Sequence, residues 1–190
     1  KFLNEFPTSP YAEKVSSYLV EVYMNTRSYD AALKSIDRIA KPSAQILEAK
    51  QKILFQLGTQ SFANADFEQA LKYLNQSIAI GQYNRQTKAD AYYWCGESYY
   101  RLNRMVEAAR DFNAYLQLTT QPNNEMYALA NYNLGYIAFH RKDYTQASNY
   151  FQKYIQLEKG ENATALADAY NRIGDCHLHV RNFEEAKQYY

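Results

Sequence analysis

The chain has 190 residues, with 21 Lys and Arg against 20 Asp and Glu, a formal charge of +1 with histidine neutral. At 47% hydrophobic and 22% charged it can bury a core, and its balanced charge offers no general field for nucleic acid or an anionic membrane. No apolar run reaches the roughly 18 to 20 residues that span a bilayer, and six Gly and four Pro are too few to punctuate a β-sandwich or barrel.

In chain order, Lys1 to Phe6 read as the tail of a helix that ends ahead of Pro7. Ser9-Pro10 then gives a cap and a first-turn proline for a helix around Val20, and a second helix opens at Ser28 with Tyr29, Ala32 and Ile36 along one side. After Pro42 the pattern recurs. A helix around Gly58 is followed by one opening at Asp66, with Phe67, Ala70 and Leu74, and Gly81 stands where it stops. Next come Gly96 with Met105, Ala108 and Phe112 after Arg104, then, past Pro122, Gly135 with Tyr144, Ala147 and Phe151 after Asp143. Beyond Gly160, Gly174 is followed by Phe183, Ala186 and Tyr190 after Asn182.

The glycines at 58, 96, 135 and 174 are spaced by 38, 39 and 39, and each is followed after twelve residues by an alanine. Apolar residues at i, i+3 and i+7 mark one helix face, and Asp66 with Gln69, Asp143 with Gln146 and Asn182 with Glu185 have capping-box spacing. The expectation is an all-α array of about ten helices in hairpins. It divides into residues 1–12 as the tail of a preceding repeat, repeats at 13–50, 51–88, 89–127 and 128–166, and a truncated repeat at 167–190. No polar capping helix is visible at either end, so 1–190 reads as one array cut from a longer protein, with open ends available for end-to-end self-association.

Tyr92-Tyr93-Trp94-Cys95-Gly96-Glu97-Ser98-Tyr99 with Ala108 and Phe112, and Leu134-Gly135 with Tyr144, Ala147 and Phe151, resemble the tetratricopeptide repeat over residues 11 to 190. Ser61 and Ala138 stand where that family usually has an aromatic, Val20 replaces the glycine, and the period exceeds 34 by four or five residues, about one helical turn. The resemblance implies a right-handed α-α superhelix that binds proteins or peptides in a groove lined by the first helices.

With each glycine as zero and 100° per residue, positions −6, −3, +1, +4 and +5 share the face that the family uses for that groove. The residues expected there are Phe55, Phe62, Tyr93, Glu97, Tyr100, Arg101, Tyr132, Tyr136, Phe139, His140, Asn171 and Asp175. Those at +4, such as Phe62 and Phe139, read as packing between successive first helices. Those at −3 and +1, such as Tyr93, Tyr132 and Tyr136, read as contact residues, since tyrosine offers an apolar body with a polar tip. Glu97, Asp90, Asp168 and Asp175 favour a partner with basic as well as aromatic or aliphatic side chains. The Lys and Asn clamp by which some relatives hold carboxylate tails is matched only at Asn133 and Arg172, because Tyr93, Glu97 and Asp168 fill its other slots.

No GxSxG, phosphate-binding glycine loop or HExxH occurs, so neither an enzyme nor a cofactor or metal site is expected. His177 and His179 point to different sides of a helix, and Cys95 and Cys176 read as free thiols. Two glycosylation-type triplets, Asn75-Gln76-Ser77 and Asn162-Ala163-Thr164, are short enough to arise by chance. Phe6-Pro7-Thr8-Ser9-Pro10-Tyr11-Ala12 is similar to the inter-repeat segment of bacterial envelope repeat proteins, which implies a periplasmic scaffold. The alternative is a sensory or regulatory repeat region of a larger signalling or transcription-regulatory protein.

Overall fold

A computed structural model describes residues 1–160 and 162–190, and every element among them is helical. They form two compact units, 1–104 and 105–190. The first holds α1 (Phe2–Glu5), α2 (Ala12–Asn25), α3 (Tyr29–Asp37), α4 (Ala44–Ala63), α5 (Phe67–Ala79) and α6 (Arg85–Arg101). The second holds α7 (Met105–Leu118), α8 (Glu125–His140), α9 (Tyr144–Leu157), α10 (Ala163–His179) and α11 (Phe183–Tyr189). Within the first unit α2 packs on α3 and α4 on α5, and within the second α8 packs on α9 and α10 on α11, as the expected pairs, and α1 is the short tail ahead of Pro7.

Small residues set the spacing of the paired helices within each unit. Ala32, Ala70, Ala108 and Ala147 are fully buried. A Cβ on Gly58 would lie 2.6 Å from Leu74 Cγ, one on Gly135 2.8 Å from the Phe151 ring, and one on Gly174 2.8 Å from the Tyr190 ring. Each glycine thus vacates the volume that the large residue of its partner helix occupies. Around these contacts the first unit buries Val20, Ile36, Ile53 and Leu57, and the second buries Phe151, Tyr154, Ile173 and Cys176.

The turns after α2, α4, α6, α8 and α10 are built alike. Arg27, Ala65, Asn103, Lys142 and Arg181 all adopt left-handed φ angles of 55° to 62°. The next N–H then donates to the carbonyl five residues back, as from Asp66 to Ser61 and from Asp143 to Ala138, which satisfies carbonyls that the helix end leaves open. Asp66, Asp143 and Asn182 follow this turn, and their side chains accept from the N–H of Gln69, Gln146 and Glu185 as the capping-box spacing predicts. Ser28 stands at the same place but its Oγ pairs with Thr26 Oγ1, so it does not cap α3 through its side chain.

The first helices begin earlier than the sequence repeat suggests. Ser43, Asn84, Asn124 and Asn162 cap α4, α6, α8 and α10 through their side chains, so the expected joints at 50/51, 88/89, 127/128 and 166/167 fall inside those helices. The extra turn of the long period accordingly resides in first helices of 16 to 20 residues, against 13 or 14 in α5, α7 and α9. Near Ser9-Pro10 the helix starts at Ala12, with Ser9 Oγ accepting from the Tyr11 N–H. Of the two glycines read as stops, Gly160 has φ 84° just past α9, whereas Gly81 is buried where a Cβ would crowd Lys88 and the Ile78 carbonyl.

A buried polar clasp joins the second and third repeats within the first unit. Gln51, fully buried, donates from Nε2 to the Asn84 carbonyl and accepts the Asn84 N–H at Oε1, at 2.8 and 3.0 Å. Ser77 Oγ donates to the Gln51 carbonyl at 2.8 Å. The triplet Asn75-Gln76-Ser77 therefore ends in a buried structural serine. Cys95 and Cys176 are both buried and free.

Candidate functional site

In the first unit, α4 and α6 carry the expected face. Phe55 and Phe62 are half-buried, and Phe62 meets Trp94 of α6 edge-on at 4.9 Å and Phe67 of α5 at 5.3 Å. The exposed Arg101 lies over the Phe62 ring with Cζ at 5.9 Å. Position +4 therefore links successive first helices, and its neighbour across the joint is the residue two before the glycine, here Trp94.

Tyr93 and Glu97 are placed deeper than their expected contact role requires. Tyr93 is 4% exposed and Glu97 9%, and the Tyr93 hydroxyl donates to Glu97 Oε1 at 3.2 Å. A buried carboxylate needs partners, and Glu97 also has Arg101 at 4.0 Å. Tyr100 is half-buried, with its hydroxyl pKa raised by burial first and by the Glu97 charge second. On the same face Lys52 pairs with Glu48 at 2.8 Å, and Gln86 donates to Asp90 at 2.7 Å. Burial pushes the Asp90 carboxyl up, against the Gln86 hydrogen bond.

In the second unit, α8 and α10 form a tighter network. Tyr132 and Tyr136 sit edge-to-face at 5.2 Å on α8, and both hydroxyls donate to Asp168 Oδ2 on α10, that of Tyr132 at 2.8 Å. Burial, then the bond to Asp168, pushes the Tyr136 hydroxyl up to about 12, and the Tyr132 hydroxyl is raised by the same two causes. Arg172 pairs with Asp175 at 2.8 Å and stands 3.6 Å from Asp168 Oδ1, while Asp175 Oδ1 accepts from the Tyr190 hydroxyl at 2.6 Å. Phe139 is half-buried, with the Arg172 guanidinium 5.8 Å from its ring centre and the His179 ring at 5.9 Å. His140 and Asn171 are exposed on this face. His179 stacks on Tyr144 at 4.2 Å, and His177 stacks on Tyr189 at 5.5 Å.

The sequence pattern brought Phe55, Phe62, Tyr132, Tyr136, Phe139 and Asp175 to these faces. Trp94, two before a glycine, escaped it as a member of the face, and Arg172 at the same position entered the sequence reading only as a match to the carboxylate clamp. Among the described residues no group of three or more His, Cys, Asp and Glu could hold a metal ion, and no helix is long and apolar enough to cross a membrane.

Two sequence models of the tetratricopeptide repeat match the chain, one over residues 55–125 and the other over 128–160 and 167–190. The chain belongs to the tetratricopeptide repeat family. This repeat array superposes on the crystal structure of MamA with a TM-score of 0.62 at 18% identity, covering 95% of this chain and 89% of that one. For YrrB, described as a tetratricopeptide protein with an unusual peptide-binding site, the TM-score is 0.61 at 16% identity, with 90% and 78% covered. BtubC from P. vanneervenii gives 0.62 at 13%, with 92% and 75% covered. These likenesses establish the fold as that of tetratricopeptide helical hairpins. A search of the curated proteins returned no match.

Proposed function

We propose that this tetratricopeptide array is a scaffold that binds a protein or peptide along the first-helix faces of its two units. The observation that carries the reading is the placement of half-buried rings, Phe55 and Phe62 in one unit and Tyr132, Tyr136 and Phe139 in the other, among charged side chains on a single helix face. Such rings have already lost most of their freedom, so covering their remaining surface costs little entropy and removes apolar area from water. The peptide-binding site ascribed to YrrB supports the same use of the fold.

Charge sets the preferred partner. Glu48, Asp90 and Glu97 share the first unit's face with Lys52 and Arg101, and Asp168 and Asp175 share the second unit's with Arg172, so acidic groups outnumber basic ones among these residues. The partner is an apolar segment bearing Lys or Arg. The similarity of residues 6–12 to envelope repeat proteins favours a role in cell-envelope assembly or maintenance, which fractionation of cells that make the protein tests directly.

A peptide array in which Phe and Leu alternate with Arg, Gln or Glu tests the binding reading. The Arg series should bind best, and Phe55→Ala or Tyr136→Ala should each weaken it by about tenfold or more, as loss of a buried aromatic anchor does. An array that shows no binding, or both variants binding like wild type, would remove the site from these faces.

A further inference from the structure

On the α8–α10 face the place for a cation is already filled from within. Arg172 bridges Asp168 and Asp175, its guanidinium lies 5.8 Å from the Phe139 ring centre, and the tyrosine pair completes the wall behind Asp168. The arrangement is what an arriving arginine would seek: carboxylates held in place by hydroxyls from Tyr132, Tyr136 and Tyr190, and an aromatic face beside them. Yet Arg172 uses the site incompletely. Its Nε is buried without a hydrogen bond, 3.6 Å from Asp168 Oδ1, so only the contact from Nη1 to Asp175 is short. Arg172 reaches both acids from its own helix, at i,i−4 and i,i+3, so one guanidinium is divided between two carboxylates. Its side chain is 31% exposed, and ion pairs of this spacing near a surface are weak, so it can swing to solvent at small cost.

We propose that Arg172 is a built-in placeholder for a partner's arginine, which binds by displacing it from Asp168 and Asp175. This rests on the peptide-binding reading above and deepens it, because it names the residue the second unit recognises and makes Arg172 the group that sets its affinity. The carboxylates stay oriented by the tyrosines when Arg172 leaves, so the incoming guanidinium meets a preformed site. The face is then self-blocked against weak cations and opens to an arginine whose flanking apolar side chains gain from the tyrosine rings.

Fluorescence anisotropy with a labelled Phe-Arg-Phe peptide and its Phe-citrulline-Phe counterpart tests this. Citrulline keeps the shape and removes the charge. Arg172→Gln should bind the arginine peptide at least tenfold more tightly than wild type, with little change for the citrulline peptide. Equal or weaker arginine-peptide binding by a variant that keeps the wild-type melting temperature would overturn the proposal. If Arg172→Gln fails to fold, Arg172→Lys takes its place: a single ammonium holds the two acids less well than a guanidinium, so binding should still tighten, and unchanged or weaker binding would refute the placeholder. Wild type and variant binding alike would leave the groove reading standing and remove the displacement. Binding of neither peptide by either protein would end the displacement as well, while the array experiment judges the groove.

Discussion

At the scale of single residues, a polar atom buried without a hydrogen bond is informative. Asp111 in α7 is 1% exposed, with one carboxylate oxygen 2.6 Å from Arg110 Nε and the other buried without a hydrogen bond. Burial raises its pKa above the ordinary carboxylate value, against the lowering effect of Arg110. A carboxyl whose folded pKa is raised contributes stability that is fully present below its unfolded pKa of about 4 and is lost as pH climbs through the folded value. Asp111→Asn should therefore raise the melting temperature relative to wild type at pH 7 by more than at pH 4. Paired thermal melts at the two pH values check this, and a gain that shrank on going from pH 4 to 7 would reverse the assigned sign.

Elements are held at their spacing by glycine on one helix and a large side chain on the other. The face of α8 at Gly135 touches the Phe151 ring of α9 so closely that even a Cβ would sit 2.8 Å from it. Gly135→Leu must push the helices apart or force Phe151 off its rotamer, and overpacking of this kind costs about 1 to 3 kcal/mol. Denaturant melts should show that loss with the helical signal retained below the transition. A variant as stable as wild type would mean that Phe151 has room to move, and that the period of 38 or 39 residues marks something other than close helix contact.

Over the whole molecule, burial is uneven from hairpin to hairpin. In α1 no residue is buried, and in α11 only Ala186 is, with Phe183 62% exposed, whereas α6 and α8 bury eight and seven residues. In an array where repeats are stabilised by their neighbours, protection against local opening follows this density. Amide hydrogen exchange of the chain should be slowest in α4, α6 and α8 and fastest in α1 and α11. Uniform protection from end to end would instead show one cooperative transition that overrides local differences.

The spacing of glycine, alanine and large apolar residues sufficed to establish helical hairpins, their number and their family, because that spacing is itself the packing rule: a missing side chain on one helix for each bulky one on its partner. Three of the second-helix caps were legible for a similar reason, since an N-cap acts over only three residues. The first-helix starts were less so. Asn84, Asn124 and Asn162 cap as well as Asp66 does, but the nearby Gly81, Pro122 and Gly160 mark only the joints and not the capping residues, and the left-handed turn is carried by Arg27, Ala65, Asn103, Lys142 and Arg181, none of them glycine. The helical wheel gave the face on which the candidate residues lie. Their depth depended on contacts between helices some 35 residues apart: Tyr132 and Tyr136 reach Asp168 on the next first helix, and Phe62 reaches Trp94. Periodicity fixes an angle around one helix axis, whereas only packing against a neighbour decides whether a ring at that angle is covered or a carboxylate already has its partner.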